Sequence, residues 1–527
     1  MHTIKKCLAI TFLISVTGCT VLGPDYHPEE DIKLPSTWNK VDGQQVLNDT
    51  IQWWMQFNDP TLNTLVEHAN QQNLDIEAAG LRILQARMAL GITSSYQYPQ
   101  LQVTSGHLAS IHKGDQSYSS AALSFDAGWE MDVWGKYARG LESAEASLYS
   151  SIASYHDIAI SITAEVVRNY VNYRTYQERI LLSKRNINIQ SRIVDITKVQ
   201  FDSGDVTELD VQQATSQLYS TRAALPALKI GMRQSRNALA VLLGVLPENI
   251  VPMLTTASVK DRINSVKTQD SRRDLSAFVL TYDAHSLIPE PPELEASINA
   301  SLVMRRPDLQ IAELQAHAQS ARIGMAVTEL YPSFSLFGSI GVNSLEESTS
   351  SFSFSDSLTL SIGPSFSWNI FQYGRVKDNI RLEDARFQEA LTNYNKKVLL
   401  AVLEVNNALD AYQLYKIQKE LRLNSVNASV RAFNISMAQY ENGQINFQRL
   451  LTSVEKMTRS EDSHAQTKGN IANQVVALYK SLGGGWEANT GKAFVKPNQI
   501  KTMEKRTDWG DKLGNLQVPP INNKRGE

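Results

Sequence analysis

The chain has 527 residues, 20% charged and 42% hydrophobic, with 51 basic against 54 acidic side chains and a mean hydropathy of −0.27. The net charge of −3 offers no basic field to recruit nucleic acid. Its two cysteines, Cys7 and Cys19, both lie at the extreme N-terminus, which excludes an internal disulfide framework for the folded body.

The N-terminus carries a processing signal. Lys5 and Lys6 precede an apolar stretch from Cys7 to Val16 that is too short to span a bilayer, followed by Val16-Thr17-Gly18-Cys19. That ending resembles a bacterial lipoprotein signal covering residues 1–18, with Cys19 as the acylated first residue of the mature chain. An ordinary cleaved signal with an incidental cysteine is the alternative. Acyl chains contribute about 0.8 kcal/mol per buried methylene, so Cys19 would tether the mature chain to a membrane, and Thr20 in place of aspartate favours, by analogy with such lipoproteins, outer membrane lipid. Beyond the leader no apolar run reaches the length of a transmembrane helix.

The body is written twice. Gly128-Trp129-Glu130-Met131-Asp132-Val133-Trp134-Gly135 matches Ser367-Trp368-Asn369-Ile370-Phe371-Gln372-Tyr373-Gly374 at a spacing of 239 residues. The same spacing joins Phe201 to Tyr440, Gly204 to Gly443 and Gly244 to Gly483. Upstream the spacing is 233, joining Asp75 to Asp308, Gly91 to Gly324, Tyr98 to Tyr331 and Pro99 to Pro332, so six residues enter between Pro332 and Trp368. Constant spacing suits long regular elements, with length variation confined to a loop. The units are an N-terminal segment over 19–59, repeats over 60–245 and 298–485, a linker over 246–297 and a tail over 486–527. The tail is rich in Lys, Asn, Gly and Pro and reads as disordered or loosely packed.

Each repeat opens with a helix, about Thr61 to Ser95 and Arg306 to Glu329. Strands follow. Leu123, Phe125, Ala127, Trp129, Met131 and Val133 alternate with Ser124, Asp126, Gly128, Glu130 and Asp132. Leu358 to Asn369 does the same, with Pro364 interrupting the apolar row. With partner candidates at Leu101 to Ile111 and Phe334 to Val342, each repeat supplies one hairpin. Such strands match a tilted bilayer crossing of about 9 to 11 residues; a half-buried sandwich sheet is the soluble alternative. In a barrel, Asp126, Glu130 and Asp132 must line the lumen, and because four strands cannot close one, several chains must share it.

After Gly135 and Gly374 come heptads, Ile152, Ala159, Val166, Tyr173, Ile180, Ile187 and Val194 in one repeat and Ile380, Phe387, Tyr394, Ala401, Ala408 and Tyr415 in the other. A helix of roughly 65 residues is about 98 Å long. Returning helices run from about Val206 to Leu243 and Ile445 to Leu482. At the turns between them Gly204 and Gly443 can take positive φ.

Gly23-Pro24-Asp25-Tyr26, Trp53-Trp54 before Asp59-Pro60, Arg306-Pro307-Asp308-Leu309, Phe201-Asp202-Ser203-Gly204, Gly363-Pro364-Ser365-Phe366-Ser367-Trp368 and Tyr440-Glu441-Asn442-Gly443 together resemble the TolC-like outer membrane factor family, in its OprM/NodT-like lipoprotein branch. The resemblance covers about residues 19 to 486. It implies a helix-dominated membrane protein in which a homotrimer joins four strands per chain into a twelve-stranded β-barrel, continued through the periplasm by a coiled-coil α-helical barrel. It also implies a periplasmic membrane-fusion adaptor and an inner-membrane RND-type transporter as partners, in efflux of small molecules. The exit duct of a type I protein secretion system and a structural coiled-coil envelope lipoprotein are the alternatives.

On that resemblance the turns bearing Gly204, Val206, Gly443 and Ile445 are periplasmic tips that meet the adaptor, and Asp210 and Tyr440 form a contact that closes the entrance. Asp205, Glu208 and Asp210 are either a charged ring or ordinary residues of a helix start. Arg449 stands at the second turn, where it pairs with Asp205 or Glu208 or faces solvent. No Gly-x-Ser-x-Gly, His-Glu-x-x-His or Walker sequence occurs, and Gly483-Gly484-Gly485 lacks the phosphate-loop lysine. The histidines are scattered, so no enzyme, metal or cofactor is expected.

Overall fold

The computed structural model describes residues 20–28, 37–38, 46–47, 51–114, 116–256, 259–264, 280, 285–294, 297–347 and 357–519. The helices of the two halves repeat residue for residue. In the first, α2 (Leu74–Ser95) leads into strands β1 (Leu101–Lys113) and β2 (Gln116–Met131), then α3 (Lys136–Asp202) and α4 (Glu208–Leu242). In the second, α5 (Pro307–Thr328) leads into β3 (Ser333–Glu347) and β4 (Leu358–Ser367), then α6 (Arg375–Glu441) and α7 (Phe447–Ser481). The limits of α2 and α5 differ by 233, and those of both later helix pairs by 239, so the six extra residues fall within the second hairpin.

Each 67-residue helix is about 100 Å long. Both start behind a left-handed glycine, Gly135 at φ 78° and Gly374 at φ 90°.

The opening segment is two helices, not the single one expected from Thr61 to Ser95. Helix α1 (Pro60–Gln72) starts at Asp59, whose carboxylate accepts from the Thr61 and Leu62 amides at 2.9 and 3.2 Å. Asn73 ends α1 and caps α2, its side-chain oxygen accepting from Asp75 and Ile76 while its amide donates to the Leu242 carbonyl at 2.8 Å. An asparagine satisfied on three sides explains the break. It ties α2 to the end of α4.

The four strands form one antiparallel sheet in the order β1-β2-β3-β4, the repeats joining between β2 and β3. Leu123, Phe125 and Trp129 face Val342, Ile340 and Leu336, which face Leu358, Leu360 and Pro364 in turn. Three strands therefore share one apolar face. The other presents Ser124, Asp126 and Glu130 beside Ser335, Ser339, Ser361 and Ser365. Strand β1 departs from the duplication. Phe334 faces Phe366, so the repeat would set Leu101 opposite Ala127, yet Leu101 faces Gly128. One residue of slip moves Leu101 and Val103 to the face of Asp126.

The largest core lies where α1, α2, α3 and α7 meet. Trp53 stacks on Tyr479 at 5.1 Å, and the Tyr170 hydroxyl donates to Asp59 at 2.7 Å. The tail corrects the expectation of disorder over most of its length. Phe494, Val495, Leu516 and Val518 are buried in this core, and α8 (Pro497–Glu504) follows. Gly80 makes room for it, since a Cβ there would lie 2.0 Å from the Phe494 carbonyl oxygen. The Arg87 guanidinium sits 4.8 Å above the Phe494 ring. A few well-placed apolar residues order a segment whose average composition is polar. Residues 520–527 and the leader lie outside the described residues.

His156 is fully buried in this region, between Tyr155, Trp486 and the Pro519 carbonyl. Burial lowers its pKa from 6.5 to about 4, and burial with the nearby Lys468 and Lys419 charges does the same to His464. A depressed pKa stabilises the fold above 6.5, and that stability is lost as pH falls toward 4 because the unfolded chain then takes up protons the folded one refuses. Thermal unfolding in detergent should show Tm falling between pH 6.5 and 4, with a shallower fall in His156→Leu. An unchanged slope in the variant refutes the assignment.

Candidate functional site

Three places carry the sequence-derived candidates: the helical tips, the wall of the sheet and the N-terminal strap. At the first tip Gly204, at φ 83°, lets its own amide reach the Phe201 carbonyl at 2.9 Å and the Asp205 amide reach Gln200 at 2.8 Å. At the second, Gly443 at φ 68° does the same, its amide on Tyr440 at 3.0 Å and that of Gln444 on Gln439 at 2.8 Å. Nothing lies within 4 Å of a Cβ built on either glycine, so both tips project freely within the chain. Val206 and Ile445 are half-buried just beyond.

The helices leaving the tips start differently. Thr207 and Asp210 form a reciprocal cap in which the Asp210 carboxylate accepts from the Thr207 amide at 3.0 Å and its hydroxyl at 2.8 Å. In the second repeat Asn446 caps α7 by accepting from the Arg449 amide at 3.3 Å. Arg449 cannot return the favour, because a guanidinium only donates. Its side chain is exposed and, among the described residues, makes no ion pair with Asp205 or Glu208, which are also exposed.

The expected hydrogen bond from Tyr440 to Asp210 is not formed within the chain. Tyr440 is only 4% exposed, packs edge-on against Phe447 at 5.9 Å and donates its hydroxyl to the Gln200 side-chain oxygen. Burial raises its pKa, opposed by a hydrogen bond with Thr197 and reinforced by the charge of nearby Asp210. The competing partners explain the correction: Thr207 occupies the carboxylate and Gln200 the phenol.

On the sheet, Asp126 accepts from Ser124 at 3.0 Å and Ser339 at 2.6 Å, joining the two repeats on the polar face. Glu130 pairs with Lys136 at 3.4 Å. Asp132 has another role, because the strand ends at Met131 rather than Val133. Its carboxylate accepts from the Tyr137 and Ala138 amides at 3.1 and 2.8 Å and so serves as the anion at the start of α3.

Sequence reasoning missed the packing of the strap over residues 20–28. The Leu22 amide donates to Trp134 at 3.1 Å, and buried Arg139 reaches the Leu22 carbonyl at 3.1 Å, Asp25 at 2.7 Å and Glu142 at 2.8 Å. Gly23 presses on Gly324, where a Cβ would come within 2.3 Å of the opposite Cα. Tyr26 stacks on His317 at 4.7 Å. The Gly23-Pro24-Asp25-Tyr26 run was the available signal. Cys19 itself lies outside the described residues.

A family model described as "Outer membrane efflux protein" matches residues 65–245 and 300–484, the two repeats. The chain belongs to this family. It is 28% identical over 509 residues to "Nodulation protein T" of Rhizobium leguminosarum bv. viciae, covering 95% of this chain and 97% of the relative. It is 25% identical to "Pyoverdine export outer membrane protein OpmQ" of Pseudomonas putida, covering 90% and 97%. The solved outer-membrane channel OprN superposes with a TM-score of 0.76 at 28% identity, covering 89% of this chain and all of that one. Members are outer membrane efflux channels and not enzymes, with a helical barrel that extends into the periplasm below a β-barrel. Among the described residues no helix is long and apolar enough to cross a membrane, and no cluster of three or more His, Cys, Asp or Glu could hold a metal ion.

The helical wall is held by charges between α3 and α7. Arg179 grips Asp462 through two bonds of 2.7 and 3.0 Å, and Glu461, 1% exposed, accepts from Arg185 and from Asn186 at 3.2 Å. Removing one member of a buried pair leaves the other charge unmatched. Glu461→Ala should cost about 3 to 5 kcal/mol, read as a lower denaturation midpoint in detergent; a change below about 1 kcal/mol, the usual worth of a surface pair, rejects the buried-pair assignment.

Proposed function

We propose that this chain is the outer-membrane exit duct of a tripartite efflux system. Three copies form one tunnel, a periplasmic adaptor docks at the tips, and an inner-membrane RND-type transporter supplies the energy. The carrying observation is the continuity of a sheet, apolar on one face and polar on the other, with helices of 67 residues. One face suits lipid and the other water, while the helices have the reach of a compartment-spanning tube. The duct is passive. The relative named for pyoverdine export favours a small solute over a secreted protein.

Within this reading Asp126 and Glu130 line the lumen, and Asp205, Glu208 and Asp210 bring negative charge to the entrance. Tyr440 holds the tips together through Gln200 next to the capped Asp210. Purified protein should conduct ions in planar bilayers, and Tyr440→Phe and Gln200→Ala should raise the conductance. Unchanged conductance in both variants removes the gate. No conductance at all from the parent returns the chain to a structural rod. A deletion strain should become hypersensitive to drugs or dyes, whereas loss of a secreted protein with unaltered drug tolerance selects the secretion duct.

Cys19 is the membrane tether in this proposal, because the strap that follows it is fastened at Trp134 and Arg139 beside the foot of the sheet. Metabolic labelling with radioactive palmitate should mark the wild type and not Cys19→Ser; label retained by the variant rules the site out.

A further inference from the structure

At the foot of the sheet, α2, α3 and α5 surround a cavity of about 630 Å3, a volume suited to a small solute. Ala86 and Ala89 on α2 and Gly140 and Ala144 on α3 line it with small side chains, which let a flat molecule lie close to the helices. Two aromatic rings stand at the end nearest the sheet, Tyr96 and Tyr137, stacked at 6.0 Å with 17° between their planes. Glu130 joins them from the polar face of β2, so in the duct proposed above the cavity opens to the lumen. Met325 on α5 lies beside Gly140, at the level of a Cβ contact of 3.6 Å. Arg322 is one turn further from the sheet and Tyr137 one turn nearer, which separates them by about 9 Å along the helices.

The charges around this cavity leave one cation over. Lys136 pairs with Glu130 at 3.4 Å. Burial, then the charge of Glu130 and a hydrogen bond to it, raise the Tyr137 pKa, so the phenol stays a donor to that carboxylate. Arg322 is exposed, touches Gln319 at 3.5 Å and makes no ion pair among the described residues. It also borders a second cavity of about 420 Å3 toward α6, whose other arginine, Arg386, is matched by Glu383 at 2.7 Å.

The duplication shows that the fold alone does not require this arrangement. At the spacings of 233 and 239, Tyr96 corresponds to Glu329, Tyr137 to Val376 and Arg322 to Ala89. Both rings and the cation are lost in the other half, whereas nearby Tyr98 and Pro99 recur as Tyr331 and Pro332.

We propose that this cavity binds an aromatic monocarboxylate, its ring against Tyr96 and Tyr137 and its carboxylate on the Arg322 guanidinium. A two-ring acid spans the distance between them. The planar fork of a guanidinium meets a carboxylate through two parallel hydrogen bonds, and the added negative charge restores balance in the cavity. The place of the site in the lumen rests on the duct reading and deepens it by naming a class of solute; the binding itself stands apart from that reading. A solute held at this neck between helices and sheet obstructs ion flow while it is bound.

The probe is 1-naphthoate, titrated by calorimetry into the full-length protein in detergent, with neutral 1-naphthamide for comparison. Naphthoate should bind saturably and naphthamide about tenfold more weakly. Arg322→Gln should weaken naphthoate binding about tenfold or more, the worth of a charge-assisted hydrogen bond, while Arg322→Lys keeps most of it. Tyr96→Ala should weaken it about fivefold, as loss of an aromatic contact does. Arg322 and Tyr96 are both exposed, so Tm should hold in all three variants. Absent binding, equal binding of the two probes, or equal affinity in Arg322→Gln overturns the site. In planar bilayers, millimolar naphthoate should lower the single-channel current of the parent and not that of Arg322→Gln. Calorimetric binding that needs Arg322 but leaves the current unchanged overturns the lumenal placement alone. The same binding by a parent that conducts no ions overturns the duct and leaves the site standing.

Discussion

Backbone amides and carbonyls that face hydrocarbon must be paired within the protein, since no water is there to satisfy them. This sheet pairs every strand with its neighbour but ends in two open edges, β1 and β4. Four strands are too few to curl onto themselves, so in the function proposed above each chain supplies one part of a larger barrel. The rest of the architecture follows from serving that joint. Each hairpin feeds a helix of 67 residues, which turns at a glycine tip into a returning helix of 35 residues.

Internal duplication makes the joint economical to specify. A single packing geometry, strand against strand and long helix against the returning helix of the next unit, is used inside the chain. The charged pairs across it, Arg179 with Asp462 and Arg185 with Glu461, break the apolar heptads at fixed points. Apolar heptads alone tolerate sliding by a whole repeat, whereas buried charges permit only the register in which each meets its partner. Register between the helices is therefore fixed by ion pairs as well as by packing.

The halves differ where function is expected to differ. Asp210 completes a cap in one repeat and Arg449 cannot in the other, so equivalent helix starts have unlike charge and unlike hydrogen bonding. Tyr440 is buried, while its counterpart Phe201 is exposed and lacks a hydroxyl. The N-terminal strap covers Gly324 in the second repeat, while Gly91, its counterpart in the first, touches nothing. The strap can occupy only one seam per chain because there is only one N-terminus.

Much of this was written in local pattern. Helix lengths, glycine turns, paired alternating strands and the place of the six inserted residues depend on periodicity and spacing, which survive without knowledge of neighbours. Other features depended on contacts distant in sequence. Asn73 breaks a helix because Leu242 accepts its amide, and the tail folds because Gly80 leaves room for Phe494. Tyr440 chooses Gln200 over Asp210 because Thr207 already holds the carboxylate, and β1 slips by one residue against β2. Sequence by itself determined the repeated elements, because backbone propensity and apolar periodicity act over a few residues. Only the tertiary structure decided which polar group pairs with which, because competing partners lie within reach and three-dimensional placement selects among them.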